Sequence, residues 1–156
     1  MSRADAGFTV IEALVIVLGV SILAAIAVPS LRAAEDGWAL ETAAADVAAR
    51  LSEARTNALK RNRPTWVLLT NSTRTLQLQV LGGPGPGIVD VGAPAYLPPR
   101  VAFVFPTSTL QVSFDAMGRP INGAGIVTAQ SVQVRHVRSL QVRQVTAETT
   151  GRITIN

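Results

Sequence analysis

Gly7-Phe8-Thr9-Val10-Ile11-Glu12, followed by the apolar run Ala13 to Val28, is the stretch on which the reading of this chain turns. The segment Phe8 to Val28, as a helix rising about 1.5 Å per residue, spans about 31 Å, enough for a hydrocarbon core about 30 Å thick. Glu12 is the only charged residue inside it. A carboxylate in or near hydrocarbon costs free energy, so Glu12 is expected to have a partner.

Two ordinary readings compete for this segment. A secretory signal would use Arg3 as its positive region and Ala25-Ile26-Ala27 as its small-residue cleavage site, but Asp5 and Glu12 weigh against it. A plain single-pass anchor would let Glu12 snorkel to the interface. The order G-F-T-x-x-E ahead of a long apolar run resembles the type III signal of type IV prepilins and pseudopilins, and Pro29 at the end of the run matches that pattern as well. The resemblance implies that residues 1–7 are a leader removed by a prepilin peptidase between Gly7 and Phe8, and that the new Phe8 amine is N-methylated. It further implies that Glu12 pairs with the Phe8 amine of a neighbouring subunit and sets the axial register of a filament.

The whole chain has 156 residues, room for one membrane helix and one small domain of roughly 120 residues. Its 48% hydrophobic and 15% charged residues lie on the apolar side for a soluble protein, and the N-terminal run accounts for the excess. Without Cys, neither a disulfide nor a thiolate metal site exists, and the fold must hold by packing alone. The net charge of +4 is unevenly spread: Val101 to Asn156 carries Arg119, Arg135, Arg138, Arg143 and Arg152 against Asp115 and Glu148, whereas Glu35 to Glu53 is mainly acidic.

Past the apolar run, Pro29 removes a backbone donor and Gly37 is a poor helix former, so a bend at Pro29 or a break between the two is expected. Leu40, Ala44, Val47, Leu51, Ala54 and Ala58 then recur at helical spacing as one apolar face. Asp46 and Arg50 are placed for an exposed i,i+4 pair, and Arg63 before Pro64 should stop the helix near Asn62. From there the period becomes 2. Trp66–Thr70 and Thr75–Leu81 read as a hairpin about Asn71-Ser72-Thr73, with Leu76, Leu78 and Val80 inward and Gln77 and Gln79 outward. The Gly82–Gly87 stretch is a turn-rich connector that lacks the Lys and hydroxyl of a phosphate-binding loop. Strands follow at Val101–Phe105, Leu110–Phe114, Ser131–Arg135, Leu140–Val145 and Arg152–Ile155, with a turn or bulge at His136–Ser139.

Leu51-Ser52-Glu53-Ala54-Arg55-Thr56-Asn57-Ala58, Arg61-Asn62-Arg63-Pro64, Phe114-Asp115-Ala116-Met117-Gly118-Arg119 and Gly151-Arg152 resemble the GspH/FimT family of H-type pseudopilins and FimT/FimU minor pilins. The resemblance covers almost the whole chain. It implies an α+β, type IV pilin-like fold: a leader 1–7, a transmembrane and assembly helix 8–31, an amphipathic helix 32–63 and an antiparallel β domain 64–156. It also implies a non-enzymatic subunit of a type II secretion pseudopilus or a type IV pilus. Such a subunit is anchored once in a bacterial inner membrane with its globular domain periplasmic. Its partners would be other pseudopilins or minor pilins, the peptidase, the inner-membrane assembly platform and, before assembly, membrane lipid.

No catalytic set, metal site or cofactor motif stands out. His136, the only His, reads as a surface residue at a turn. The strand alternation places Arg135 and Arg143 outward on adjacent strands, with Arg138 at the turn and Arg152 nearby. This stripe reads first as a solvated sheet face and second as a salt-sensitive DNA contact for uptake. Some FimT-type pilins bind DNA and place Arg near a C-terminal G-R-x-R. Here the sequence is Gly151-Arg152-Ile153-Thr154, so the second Arg is missing, and no aromatics are interleaved to stack on bases.

Overall fold

The computed structural model describes residues 9–82 and 87–156. The leader and the Gly7–Phe8 junction lie outside the described residues, as does all but the two ends of the Gly82–Gly87 connector. The chain forms two units, one ending at Glu35 and one comprising Asp36–Asn156.

Helix α1 runs from Val10 to Arg61 and contributes to both units. Along Val10–Glu35 every residue is exposed, whereas from Asp36 onward one face is buried. That face contains all six residues of the apolar stripe, Leu40, Ala44, Val47, Leu51, Ala54 and Ala58, together with Asp36 and Ala43. The break expected between Pro29 and Gly37 is absent, and helix is continuous across both. Pro29 leaves one carbonyl of the preceding turn without its helical donor, but Ser30 Oγ donates to Ala27 O at 2.8 Å in the same turn, and the remaining ladder carries the helix through. The C-terminus comes where Pro64 requires it. Asn62 adopts φ 50°, Asn62 N–H bonds Leu59 O and Arg63 N–H bonds Ala58 O, the double closure of a Schellman motif.

Among the described residues, nine strands follow in two antiparallel sheets. The first has the order β3-β2-β1-β5-β6, built from β1 (Thr65–Thr70), β2 (Thr75–Leu81), β3 (Ile88–Tyr96), β5 (Thr109–Phe114) and β6 (Pro120–Ile121). The second has the order β4-β7-β8-β9, from β4 (Val101–Phe103), β7 (Gln130–His136), β8 (Val142–Ala147) and β9 (Ile153–Ile155). The expected β1–β2 hairpin is present in the register Thr70↔Thr75, with Leu76, Leu78 and Val80 buried. Strand β3 was not expected: it carries Pro94 and Gly92 and shows almost no burial alternation, features tolerated at a sheet edge, where one side of the ladder needs no donors. Both sheets and the second half of α1 share one apolar core, in which Val67, Leu69, Val112 and Phe114 of the first sheet join Val101, Phe103, Val132, Val134 and Val145 of the second.

Candidate functional site

Glu12 is held by its own chain. Thr9 precedes the first helical residue, and its Oγ1 accepts the Glu12 N–H at 3.3 Å. In return Glu12 Oε2 accepts the Thr9 N–H at 3.0 Å and the Thr9 hydroxyl at 2.9 Å. This reciprocal pair is a capping box, which satisfies two of the amides that a helix start leaves without partners. The signal was visible in the sequence as T-x-x-E before an apolar run. Glu12 therefore has a partner within its own chain. The shallow depression at Ile11, Glu12, Val15 and Ile16 lies along one side of a single exposed helix and is not an enclosed ligand site.

The arginine stripe is not assembled as expected. Strand β7 pairs with β8 in the register Val134↔Arg143 and Arg135↔Val142. Residues directly opposite on antiparallel strands share a face. Arg143 thus lies on the core side with buried Val134, and Arg135 lies on the outer side with Val142. Alternation counted from Leu140 put Arg143 in the wrong phase, because Leu140 belongs to the turn and the strand begins at Val142. Arg143 instead reaches back to α1, where its Nε meets Glu41 Oε2 at 3.2 Å. Arg152 is also engaged, with Glu148 at 2.9 Å. Arg135 and Arg138 remain exposed without an ion pair among the described residues.

His136 is fully buried, contrary to the surface position expected of it. It is the last residue of β7 and continues the inward alternation Val132, Val134, His136. The Ser139 N–H donates to Nδ1 at 3.2 Å, so the ring proton sits on Nε2. Nε2 faces Asp36 Oδ1 at 3.5 Å, close for an ion pair but without hydrogen-bond geometry, and Nε2 has no hydrogen-bond partner. Asp36 is itself buried, so this contact ties the first turn of the second unit to the end of β7. Ser139 Oγ lies 3.1 Å from Nδ1, and among the described residues no cluster of three or more His, Asp or Glu side chains could hold a metal ion.

Three of the segments quoted from the sequence converge on Arg55. Gly118 and Gly151, at φ 72° and 84°, bring two turns onto its side chain. A Cβ on Gly118 would lie 3.0 Å from Arg55 Cγ, and one on Gly151 would lie 2.7 Å from Arg55 Nε. The Gly118 turn is itself closed by Asp115, whose Oδ1 accepts the Met117 and Arg119 N–H groups while Oδ2 accepts both Nε and Nη2 of Arg119. Burial acts to raise the Asp115 pKa, but these hydrogen bonds and the Arg119 charge outweigh it and hold the carboxyl below its ordinary value. On α1, Arg50 takes Glu53 at 2.9 Å and the Ala93 carbonyl at 3.1 Å, in place of the expected Asp46, because β3 brings an acceptor within reach.

Residues 43–151 match the family model of the type II transport protein GspH, a span that includes every strand up to β8 and the Arg55, Gly118 and Gly151 constellation. This chain belongs to the GspH family. Solved structures of two proteins share its fold. The minor pseudopilin EpsH of the Vibrio cholerae type 2 secretion system is 16% identical with a TM-score of 0.55, the match covering 75% of this chain and 95% of that one. The type IV minor pilin FimU of Pseudomonas aeruginosa is 18% identical with a TM-score of 0.53, covering 75% and 87% respectively. At these identities the likeness concerns fold. No curated protein matches the sequence. The GspH-family chain is thus pilin-like in fold: one long N-terminal helix on antiparallel sheets, with its exposed apolar half ahead of the matched region.

Proposed function

We propose that this chain is a minor pseudopilin or minor pilin, cut by prepilin peptidase between Gly7 and Phe8, held in the inner membrane by the helix that follows, and then assembled through an inner-membrane platform into a type II secretion pseudopilus or the tip of a type IV pilus. The observation that carries this reading is the apolar first part of α1, residues 10–35, long enough to cross a membrane and exposed over its whole length, while the second unit has a closed core of its own. Such a surface requires lipid tails or other helices around it. Family membership supports the secretion or pilus setting.

Glu12 would act in two states. In the lone subunit it caps its own helix through Thr9. In the filament it would turn to the Phe8 amine of a neighbour, and a slipped neighbour would leave a charge unpaired in an apolar surrounding, which penalises wrong register. Intact mass of the membrane-associated protein should give a chain beginning at N-methylated Phe8; a chain beginning at Val28, or one retaining Met1, rejects the processing step. Glu12→Gln separates cap from register, because Gln serves a capping box as well as Glu does. Crosslinking of Glu12→Gln to partner subunits should fall while membrane insertion and cleavage persist. Crosslinking equal to wild type leaves Glu12 as a cap alone.

A further inference from the structure

The hairpin between β7 and β8 ends in a surface that folding does not explain. Val137 and Leu140 in the turn and Val142 at the start of β8 are all exposed, Leu140 by 65%. Leu140 also adopts φ 57°, the left-handed region that Gly or Asn enters at less cost. A strained, solvent-facing Leu returns nothing to the core, so its place in the turn points to a contact outside the subunit. Arg138 lies within the turn, Arg135 is directly opposite Val142 on the outer face, and Arg100 adjoins Val137, whose N–H bonds the Arg100 carbonyl. None of these three arginines has an ion pair among the described residues; Glu41 pairs with Arg143, and Asp36 faces His136.

The position of this surface in the second unit narrows the occupant. The hairpin tip is tied through His136 to Asp36, the first residue of that unit. Asp36 follows Val28, the last residue of the apolar run, by only eight positions in the sequence. Trp38, also on this first turn, is 69% exposed, and Trp is characteristic of the headgroup layer. We propose that the β7–β8 tip, with Arg100 and Arg135 beside it, docks on a lipid surface bearing anionic headgroups while the subunit awaits assembly. The arginines supply attraction within a Debye length of that surface, and Val137 and Leu140 enter its apolar margin. A nucleic acid fits less well, because the apolar side chains interrupt the cations and Arg143 and Arg152 are already neutralised.

This inference rests on the membrane-anchored reading above, and one preparation tests both. The chain has no Cys, so Gln141→Cys, exposed between Leu140 and Val142, can carry a single fluorophore, with Met117→Cys as a distant exposed control. The full-length protein is placed in nanodiscs of phosphatidylcholine alone or with phosphatidylglycerol, and acrylamide quenching is measured. Phosphatidylglycerol should shield the label at 141 and leave that at 117 unchanged. Arg135→Gln or Arg138→Gln should each weaken docking about fivefold. Raising salt from about 0.1 M to 1 M, which shortens the Debye length from about 10 Å to about 3 Å, should restore quenching. Leu140→Asn suits the left-handed backbone, so it should fold at least as stably as wild type and still lose protection. An embedded chain whose 141 label is quenched equally in both bilayers, or protection that survives both Arg substitutions, overturns the docking. Protection by duplex DNA in neutral discs instead assigns the surface to nucleic acid and overturns it too. A chain that fails to enter the discs overturns the anchored reading, and the docking with it.

Discussion

Gly151 shows how a single hydrogen in place of a methyl can join distant parts of this fold. Its φ of 84° is open to Gly and costly to L side chains, and the space beyond its Cα is filled by Arg55 and by the Gly118 carbonyl. Gly92 offers an internal comparison, since it adopts a similar φ of 70° with nothing within 4 Å. Gly151→Ala should therefore add overpacking to backbone strain and cost about 2–4 kcal/mol, against about 1–2 kcal/mol for Gly92→Ala, which carries strain alone. Chemical denaturation of the two variants decides it, and equal losses would mean that the packing on Arg55 contributes nothing. In the sequence, Gly151-Arg152 could be matched to a family motif, but its partner could not be read, because Arg55 lies nearly a hundred positions away and only the folded sheet brings the two together. His136 was misplaced for a related reason. A lone His beside Arg135 looks solvated until the inward alternation of Val132 and Val134 is carried one residue further.

Among the elements, those set by local chemistry were the ones legible in the sequence. The amphipathic stripe of α1, its stop before Pro64 and the β1–β2 hairpin depend on periodicity and turn residues within short windows, and all three stand in the structure. Strand β3 depends on an edge position and the division into two sheets depends on long-range pairing, neither of which leaves a period in the sequence. The β5–β6 turn is the local element with the strongest polar closure, and its pH response follows from Asp115. The folded-state pKa lies below the ordinary 3.8, so the unfolded chain takes up protons first and stability falls as pH drops. The contribution of Asp115 is complete above its unfolded value and is lost as pH falls through the folded one. Asp115→Asn should cost about 1–2 kcal/mol near neutral pH, and the gap from wild type should close in acid below about pH 4. A gap that stays constant from pH 7 down to pH 2 would show that the carboxylate's charge plays no part in closing the turn.

On the scale of the whole molecule, burial is sharply divided along α1. No residue of Val10–Glu35 is buried, and every core residue lies at Leu40 or beyond. The apolar half of α1 thus contributes nothing to the core of Asp36–Asn156, and the capping box at Thr9 and Glu12 stabilises only the helix that it starts. A chain beginning at Ala33 keeps the Asp36–His136 contact, the Arg143–Glu41 pair and the complete apolar core, while losing the exposed apolar helix surface. It should be soluble, show the far-ultraviolet circular dichroism of a mixed helix and sheet protein, and unfold cooperatively at a midpoint within a few degrees of the globular transition of the full-length protein in detergent. Starting the chain at Leu40 instead removes Asp36 and leaves buried His136 facing no carboxylate, so its midpoint should fall below that of the longer form. If the Ala33 chain lacks a cooperative transition, the second unit depends on the first for its folding, and the division of labour along α1 is wrong. If both truncations melt alike, the buried Asp36–His136 contact holds no part of the fold in place.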